Sequence, residues 1–177
     1  PRRQCKHGQA RGQGAALQTG MDYALEQGAE YIVHFDADGQ HQLADMERLL
    51  EAVRAGDVDV ALGSRFLQKE DRDAVPLGRR WLLKGGVVVN GLLTGVWLSD
   101  AHNGARALNR KAAESIRLRE NGFAHATEIL QEIKDKGLRY KEVPVRIHYT
   151  EYSRFKGQKA GSALRILMEL IMRRLFR

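Results

Sequence analysis

Apolar residues recur at helical spacing in Leu17, Met21, Ala24 and Leu25 and stop at Gly28, predicting a first helix opened by the turn Gly12-Gln13-Gly14. The next run, Tyr31-Ile32-Val33-His34-Phe35, is of strand-forming type and leads straight into Asp36-Ala37-Asp38-Gly39-Gln40-His41. It reads as a buried strand that delivers Asp36 and Asp38 to its C-terminal edge. Leu43, Met46, Leu49, Leu50 and Val53 then share one face of a helix from Leu43 to Ala55, stopped by Gly56, and Asp57 to Leu62 alternates as a second strand running into Gly63-Ser64-Arg65. A helix between two strands predicts a right-handed crossover and a parallel pair. Arg65 then emerges on the same edge as the two aspartates, the edge at which open α/β sheets bind ligands.

Residues 67–80 are charged, contain Pro76 and Gly78, and read as a loop. Trp81 to Leu98 is the most apolar stretch, but Lys84, Asn90 and four glycines interrupt it, and a membrane-spanning helix wants about 20 largely apolar residues. A helix lying against the core or a membrane surface is expected, with Gly91 and Gly95 marking close helix packing. Ser99 to Leu108 is a polar turn feeding a short strand. Helices follow at Lys111–Leu118 and Phe123–Lys136, the second carrying Glu128 toward the site, then a strand from Leu138 to Tyr149 whose Pro144 argues for a sheet edge. Thr150 to Gly161 is a basic loop, and Ala163 to Phe176 an amphipathic helix with a basic face, which either packs on the domain or lies in a membrane interface.

At 177 residues, 43% hydrophobic and 29% charged, the composition is that of one soluble globular domain and excludes a disordered tail. The single cysteine, Cys5, can form no internal disulfide, and no secretory leader pattern opens the chain, so a cytoplasmic setting is expected. The net charge of +7 sits at one end: ten basic and three acidic residues from Arg139 onward account for all of it. Such an end attracts phosphates, lipid headgroups or nucleic acid. No aromatic residues are interleaved in a stacking pattern and no nucleic-acid motif is present, so nucleic acid is not an expected partner.

Two carboxylates pointing the same way repel unless a cation or a shared proton lies between them, and hard oxygen ligands suit Mg²⁺ or Mn²⁺. Asp36 and Asp38 are therefore either a metal–diphosphate site or solvated acids of an Asp-Gly turn. Arg65 either meets a phosphate or forms a salt bridge with one of these acids. Asp100 is a base, a phosphate neighbour or a turn former. The glycine turn before the first helix either approaches a phosphate or is a loop; no strand precedes it in this chain, so no P-loop is supported.

Together these blocks resemble the inverting family 2 glycosyltransferases, specifically the polyprenyl-phosphate sugar transferases related to dolichol-phosphate mannosyltransferase. The matching segments, in order, are Gly12 to Leu17, Phe35 to His41, Gly63-Ser64-Arg65, Asp100 with Asn103 to Ala107, Glu128-Ile129-Leu130, Glu142-Val143-Pro144-Val145, and Arg154 through Lys159. The resemblance implies a GT-A fold with a mixed, mainly parallel sheet flanked by helices, over 1–161, and a basic C-terminal helix over 162–177. The family's first strand-helix-strand unit would lie before Pro1. Asp36, Asp38 and Gln40 would serve Mg²⁺ or Mn²⁺ and the diphosphate of a UDP- or GDP-linked sugar. Arg65, with Arg79 or Arg80, would meet the phosphate of a polyprenyl acceptor. Asp100 would stand beside sugar and acceptor, with Asp38 in the chemistry too, and Arg154 with Lys159 would close on the donor phosphates. A protein peripheral to the cytoplasmic face of a membrane is implied. Two departures stand out: Gln158-Lys159 where the family often has Ser-Lys, and Ala105 where it has an aromatic. The alternatives are transfer to a polysaccharide or protein, and an inactive anion-binding domain.

Overall fold

The computed structural model describes residues 12–36, 39–68, 77–100, 103–121 and 124–146. Along them run α1 (Gln13–Glu26), β1 (Tyr31–His34), α2 (Leu43–Arg54), β2 (Val60–Ser64), α3 (Leu77–Thr94), β3 (Arg106–Asn109), α4 (Arg110–Ser115), α5 (His125–Asp135) and β4 (Tyr140–Pro144). The predicted basic loop and C-terminal helix lie outside the described residues. Helix α2 matches its predicted span: Met46, Leu49 and Val53 are buried, and Gly56 ends the turn in the left-handed conformation at φ 83°.

The four strands form a mixed sheet in the order β1-β3-β2-β4. β3 runs antiparallel to both its neighbours, and β2 pairs in parallel with β4. β1 and β2 thus point the same way, as expected, but they are not the adjacent pair that a simple crossover predicts, because β3 lies between them. The physical reason is burial. β2 is buried throughout and β3 at all but its last residue, whereas β1 and β4 are only partly covered. Strands apolar on both faces belong in the middle of a sheet. Pro144, which has no N–H to give a ladder, sits at the end of the outer strand β4, as its chemistry requires.

Side-chain alternation divides the core between two faces. Ile32, Val60, Leu62 and Leu108 meet Met21, Ile116, Ile129, Leu130 and Ile133 beneath α1, α4 and α5. On the other face Ala61, Ala105, Ala107 and Val143 pack against Met46, Leu49, Ala52 and Val53 of α2. The small side chains of β3 let α2 lie close to the sheet.

The apolar run predicted as helix over 81–98 divides differently. α3 begins at Leu77 and ends at Thr94, whose hydroxyl donates to Asn90 O (2.8 Å) and accepts from Val96 N (3.1 Å). Val96 and Leu98 then enter the core while Trp97 turns back onto Gly91, where an added Cβ would stand 2.7 Å from the indole ring. The bare surface of Gly91 is therefore filled by a ring of the same segment rather than by a second helix. Trp81, Val88 and Leu92 on α3 remain exposed, as does Trp97. Among the described residues no helix is long and apolar enough to cross a membrane.

At the amino-terminal end of β2, buried Asp59 accepts hydrogen bonds from Arg139 N (3.0 Å) and Asn109 Nδ2 (3.0 Å), with Lys111 Nζ at 3.4 Å. This bracket ties together the chain around β2, β3 and β4, and leaves the opposite edge free for the site.

Candidate active site

The carboxyl ends of β1 and β2 and the segment entering β3 converge on one sheet edge, bringing Asp36, Arg65, Asp100, Gly104 and Arg106 to it. Asp36 Oδ1 accepts from the Gln13 side chain (2.8 Å) at the first turn of α1. In the Gly12-Gln13-Gly14 turn, Gln13 thus meets Asp36, while Gly14 faces a neighbouring loop. An added Cβ on Gly14 would run into Glu120 O, and its N–H donates to Asn121 O, so it lets α1 close on a neighbouring loop.

Arg106 stands opposite His34 in the β1–β3 register, on the face to which Asp36 also belongs. Burial pushes the Arg106 guanidinium down to about 10, opposed by the negative charge of Asp36. Burial likewise holds the His34 imidazole down at about 3, with help from the charges of Arg106 and His125. His34 is therefore neutral at pH 7, and neither of its ring nitrogens finds a hydrogen-bond partner among the described residues.

Of the carboxylates a divalent cation would use at this corner, Asp36 is described. Asp36 offers a hard oxygen, and its carboxylate packs against the bare Cα of Gly104: a Cβ there would sit 2.5 Å from Oδ2. Among the described residues no three His, Cys, Asp or Glu side chains converge. The second carboxylate of the motif, Asp38, lies outside them, as do Arg154 and Lys159. Gln40 is half-buried on the segment leading to α2.

The second focus is a buried, two-pronged ion pair. Arg65 Nε donates to Asp100 Oδ2 (2.6 Å), Nη2 donates to Oδ1 (2.7 Å), and the Arg65 backbone N–H reaches Oδ2 at 3.2 Å. Among the described residues, the ion pair of Arg65 is made with Asp100; Asp38 lies outside them. Both carboxylate oxygens of Asp100 are thus engaged by Arg65. Arg80 lies half-buried on α3. Arg79 is on the first turn of that helix, its side chain outside what is described.

Two glutamates of the sequence motifs take roles that spacing alone does not reveal. Glu128 accepts from Arg119 N (2.9 Å) and Glu120 N (2.9 Å), holding a loop rather than aiming at the site. Glu142 of β4 accepts from Ser99 N and from Ser99 Oγ (2.7 Å), beside Asp100. Gln13, Gly104, Arg106 and Glu142 are the site residues to which sequence reasoning assigned no role. The motif blocks contain all four, and what was missing is their partners, between 23 and 43 residues away for Gln13 and Glu142.

A three-layer α/β domain with an acidic strand end and a buried arginine on one sheet edge is of the kind that nucleotide-sugar transferases of GT-A fold are built on. The chain belongs to glycosyl transferase family 2, whose family model matches residues 2–117, and it is a glycosyltransferase. It is 36% identical to an uncharacterised protein of Methanocaldococcus jannaschii, over 97% of this chain and 72% of that protein. It is 32% identical to the UDP-N-acetylglucosamine–dolichyl-phosphate N-acetylglucosaminyltransferase of Methanococcus voltae, over 94% of this chain and 67% of the relative. It is also 32% identical to the polyprenol monophosphomannose synthase of Mycolicibacterium smegmatis, over 89% of this chain and 59% of the relative.

Proposed function

We propose that this enzyme transfers a sugar from a UDP- or GDP-linked donor to a polyprenyl or dolichyl phosphate, with inversion and with Mg²⁺ or Mn²⁺. The observation that carries the reading is the Arg65–Asp100 pair, a buried guanidinium fixed on the same sheet edge as Asp36. Two relatives act on lipid phosphates by name, which supports the same acceptor.

Asp36, with Asp38 and Gln40 by their place in the motif, would hold the cation. A bound divalent ion neutralises charge growing on the departing diphosphate. Gln13 holds Oδ1 of the Asp36 carboxylate, the bare Cα of Gly104 makes room for it, and Arg106 adds a charge of opposite sign. An acceptor phosphate is already ionised at pH 7, so it needs orientation more than a base. Arg65 supplies that orientation, with Arg79 or Arg80 from α3, and Asp100 holds Arg65. Arg154 and Lys159, by their place in the motif, would close on the donor phosphates and exclude water.

The exposed apolar side chains of α3, with Trp81 73% and Leu92 72% accessible, would lie against the membrane that holds the lipid acceptor. The enzyme would then be peripheral to the membrane, on its cytoplasmic face.

The test is calorimetric titration of UDP and GDP, with and without Mn²⁺, into the full chain, followed by transfer to polyprenyl phosphate in anionic vesicles. Metal-dependent binding that is lost in Asp36→Ala, with transfer to the lipid phosphate, is the expected result. Transfer only to a polysaccharide or protein would overturn the acceptor assignment, and metal-independent turnover would overturn the role of Asp36.

A further inference from the structure

The mechanism above uses Asp100 to hold Arg65, but Asp100 sits on a segment between α3 and β3 whose described residues belong to no strand. What fixes that turn comes from the far side of the sheet. Glu142, on the outer strand β4 and in register with Leu62 of β2, sends its carboxylate to the turn. Its Oε1 accepts from Ser99 N (2.9 Å), Ser99 Oγ (2.7 Å) and Asp100 N (3.3 Å), and its Oε2 accepts from Ser99 N at 2.9 Å.

The hydroxyls continue the network in one direction. Ser99 has a single hydroxyl hydrogen and gives it to Glu142, so the 2.5 Å contact between Ser64 Oγ and Ser99 Oγ is donated by Ser64. Ser64 Oγ in turn accepts from Phe66 N at 3.2 Å. Ser64 and Phe66 flank Arg65. Both halves of the ion pair are therefore anchored to the same carboxylate: Asp100 through its backbone N–H, and the Arg65 backbone through Ser64 and Ser99.

We infer that Glu142 is a positioning residue for acceptor binding, setting the Arg65–Asp100 pair without touching substrate. This rests on the reading that Arg65 meets the acceptor phosphate. A carboxylate accepting several N–H and O–H donors is a strong, charge-assisted anchor, and the geometry of an arginine fork tolerates little displacement. Glu142 fills this place because β4 is parallel to β2 and adjacent to it, so a side chain beside Leu62 reaches the turn at Ser99 and Asp100 that packs on the end of β2.

The inference is tested on the full chain by two readouts, one of which does not depend on activity. In Glu142→Ala the Arg65 Nε–H, followed by NMR, is expected to exchange with solvent about tenfold faster, the scale of one charge-assisted hydrogen bond. The KM for polyprenyl phosphate in vesicles should rise by a similar factor, while Mn²⁺-dependent binding of UDP or GDP stays within about twofold of the unaltered chain. Glu142→Gln, which keeps one acceptor oxygen, should fall between the two. Should Glu142→Ala not fold, Ser99→Ala cuts the hydroxyl relay while leaving the backbone bonds, and should speed the same exchange by a smaller factor. Unchanged Arg65 Nε–H exchange in whichever of these variants folds would overturn the inference. So would equal loss of nucleotide and lipid binding in both Glu142 variants, since that marks a general structural role. If the unaltered chain transfers nothing to polyprenyl phosphate, the functional reading fails, and the Arg65 exchange still decides whether Glu142 sets the pair.

Discussion

Arg65 and Asp100, 35 residues apart in the chain, bind each other through two parallel hydrogen bonds of 2.6 and 2.7 Å with almost no solvent access. Such a pair is costly to break from one side and cheap to replace from both. Asp100→Ala leaves a buried guanidinium without its counter-charge and should lower stability by about 3–5 kcal/mol, whereas Arg65→Met with Asp100→Leu should recover most of that loss. Urea denaturation of the two single variants and the double variant measures the coupling. A double variant as unstable as the sum of the single variants would mean the pair contributes through packing alone.

Arg65→Lys keeps the charge and loses the fork. A lysine cannot hold Asp100 and a phosphate in one plane, so the KM for polyprenyl phosphate should rise about tenfold or more with nucleotide binding retained. A KM in the Arg65→Lys variant equal to that of the unaltered enzyme would remove the arginine from the acceptor site.

Gly104 provides a separate handle on the donor corner. In Gly104→Ala the new methyl group would lie 2.5 Å from Asp36 Oδ2, so Mn²⁺-dependent binding of UDP or GDP should fall sharply in calorimetry while the fold persists. The control is Gly20→Ala on α1, where an added Cβ meets nothing within 4 Å. That change should leave nucleotide binding alone and stabilise the helix by about 0.5–1 kcal/mol.

Asp59 sets a pH dependence. Burial by itself would raise its pKa, but hydrogen bonds from the Arg139 side chain and backbone and from Asn109, with the charge of Lys111, pull it well below the usual carboxylate range. A carboxylate with a depressed folded-state pKa stabilises the protein fully above its unfolded value of about 3.9, and that contribution is lost as pH falls below it. Asp59→Asn should therefore cost roughly 2 kcal/mol at pH 7, and the gap between variant and parent should narrow below about pH 4. A gap that is constant from pH 7 to about pH 3 would show that the carboxylate charge is not what stabilises the bracket.

Local pattern carried most of the elements. The face of Met46, Leu49 and Val53 and the stop at Gly56 define α2, and Pro144 places β4 at the margin of the sheet, because each depends on neighbours within a few residues. The aspartate of the first strand and the arginine after the second reach one edge for the same reason. What periodicity does not carry is partner choice. Nothing near Arg65 says that its counter-charge is Asp100, nothing near Glu142 says that it holds Ser99, and nothing near β1 says that β3 will come between it and β2. The division of the apolar run at Thr94 was equally hidden, since Val96 and Leu98 join a core built from residues distant in sequence, on β2, β3 and α5 among others.

The placement of β3 also bears on how the chain comes off the ribosome. β1, finished at His34, finds no adjacent strand in β2 and must wait for residues 106–109, more than 70 positions later. Until then the edge of β1 that β3 will take has no partner. Long-range strand pairing of this kind slows folding and leaves partly built sheets prone to association. That edge of β1 is thus uncovered while α3 is made, the same interval in which Trp81, Val88 and Leu92 first meet solvent, so shielding of this stretch would act before β3 closes the sheet.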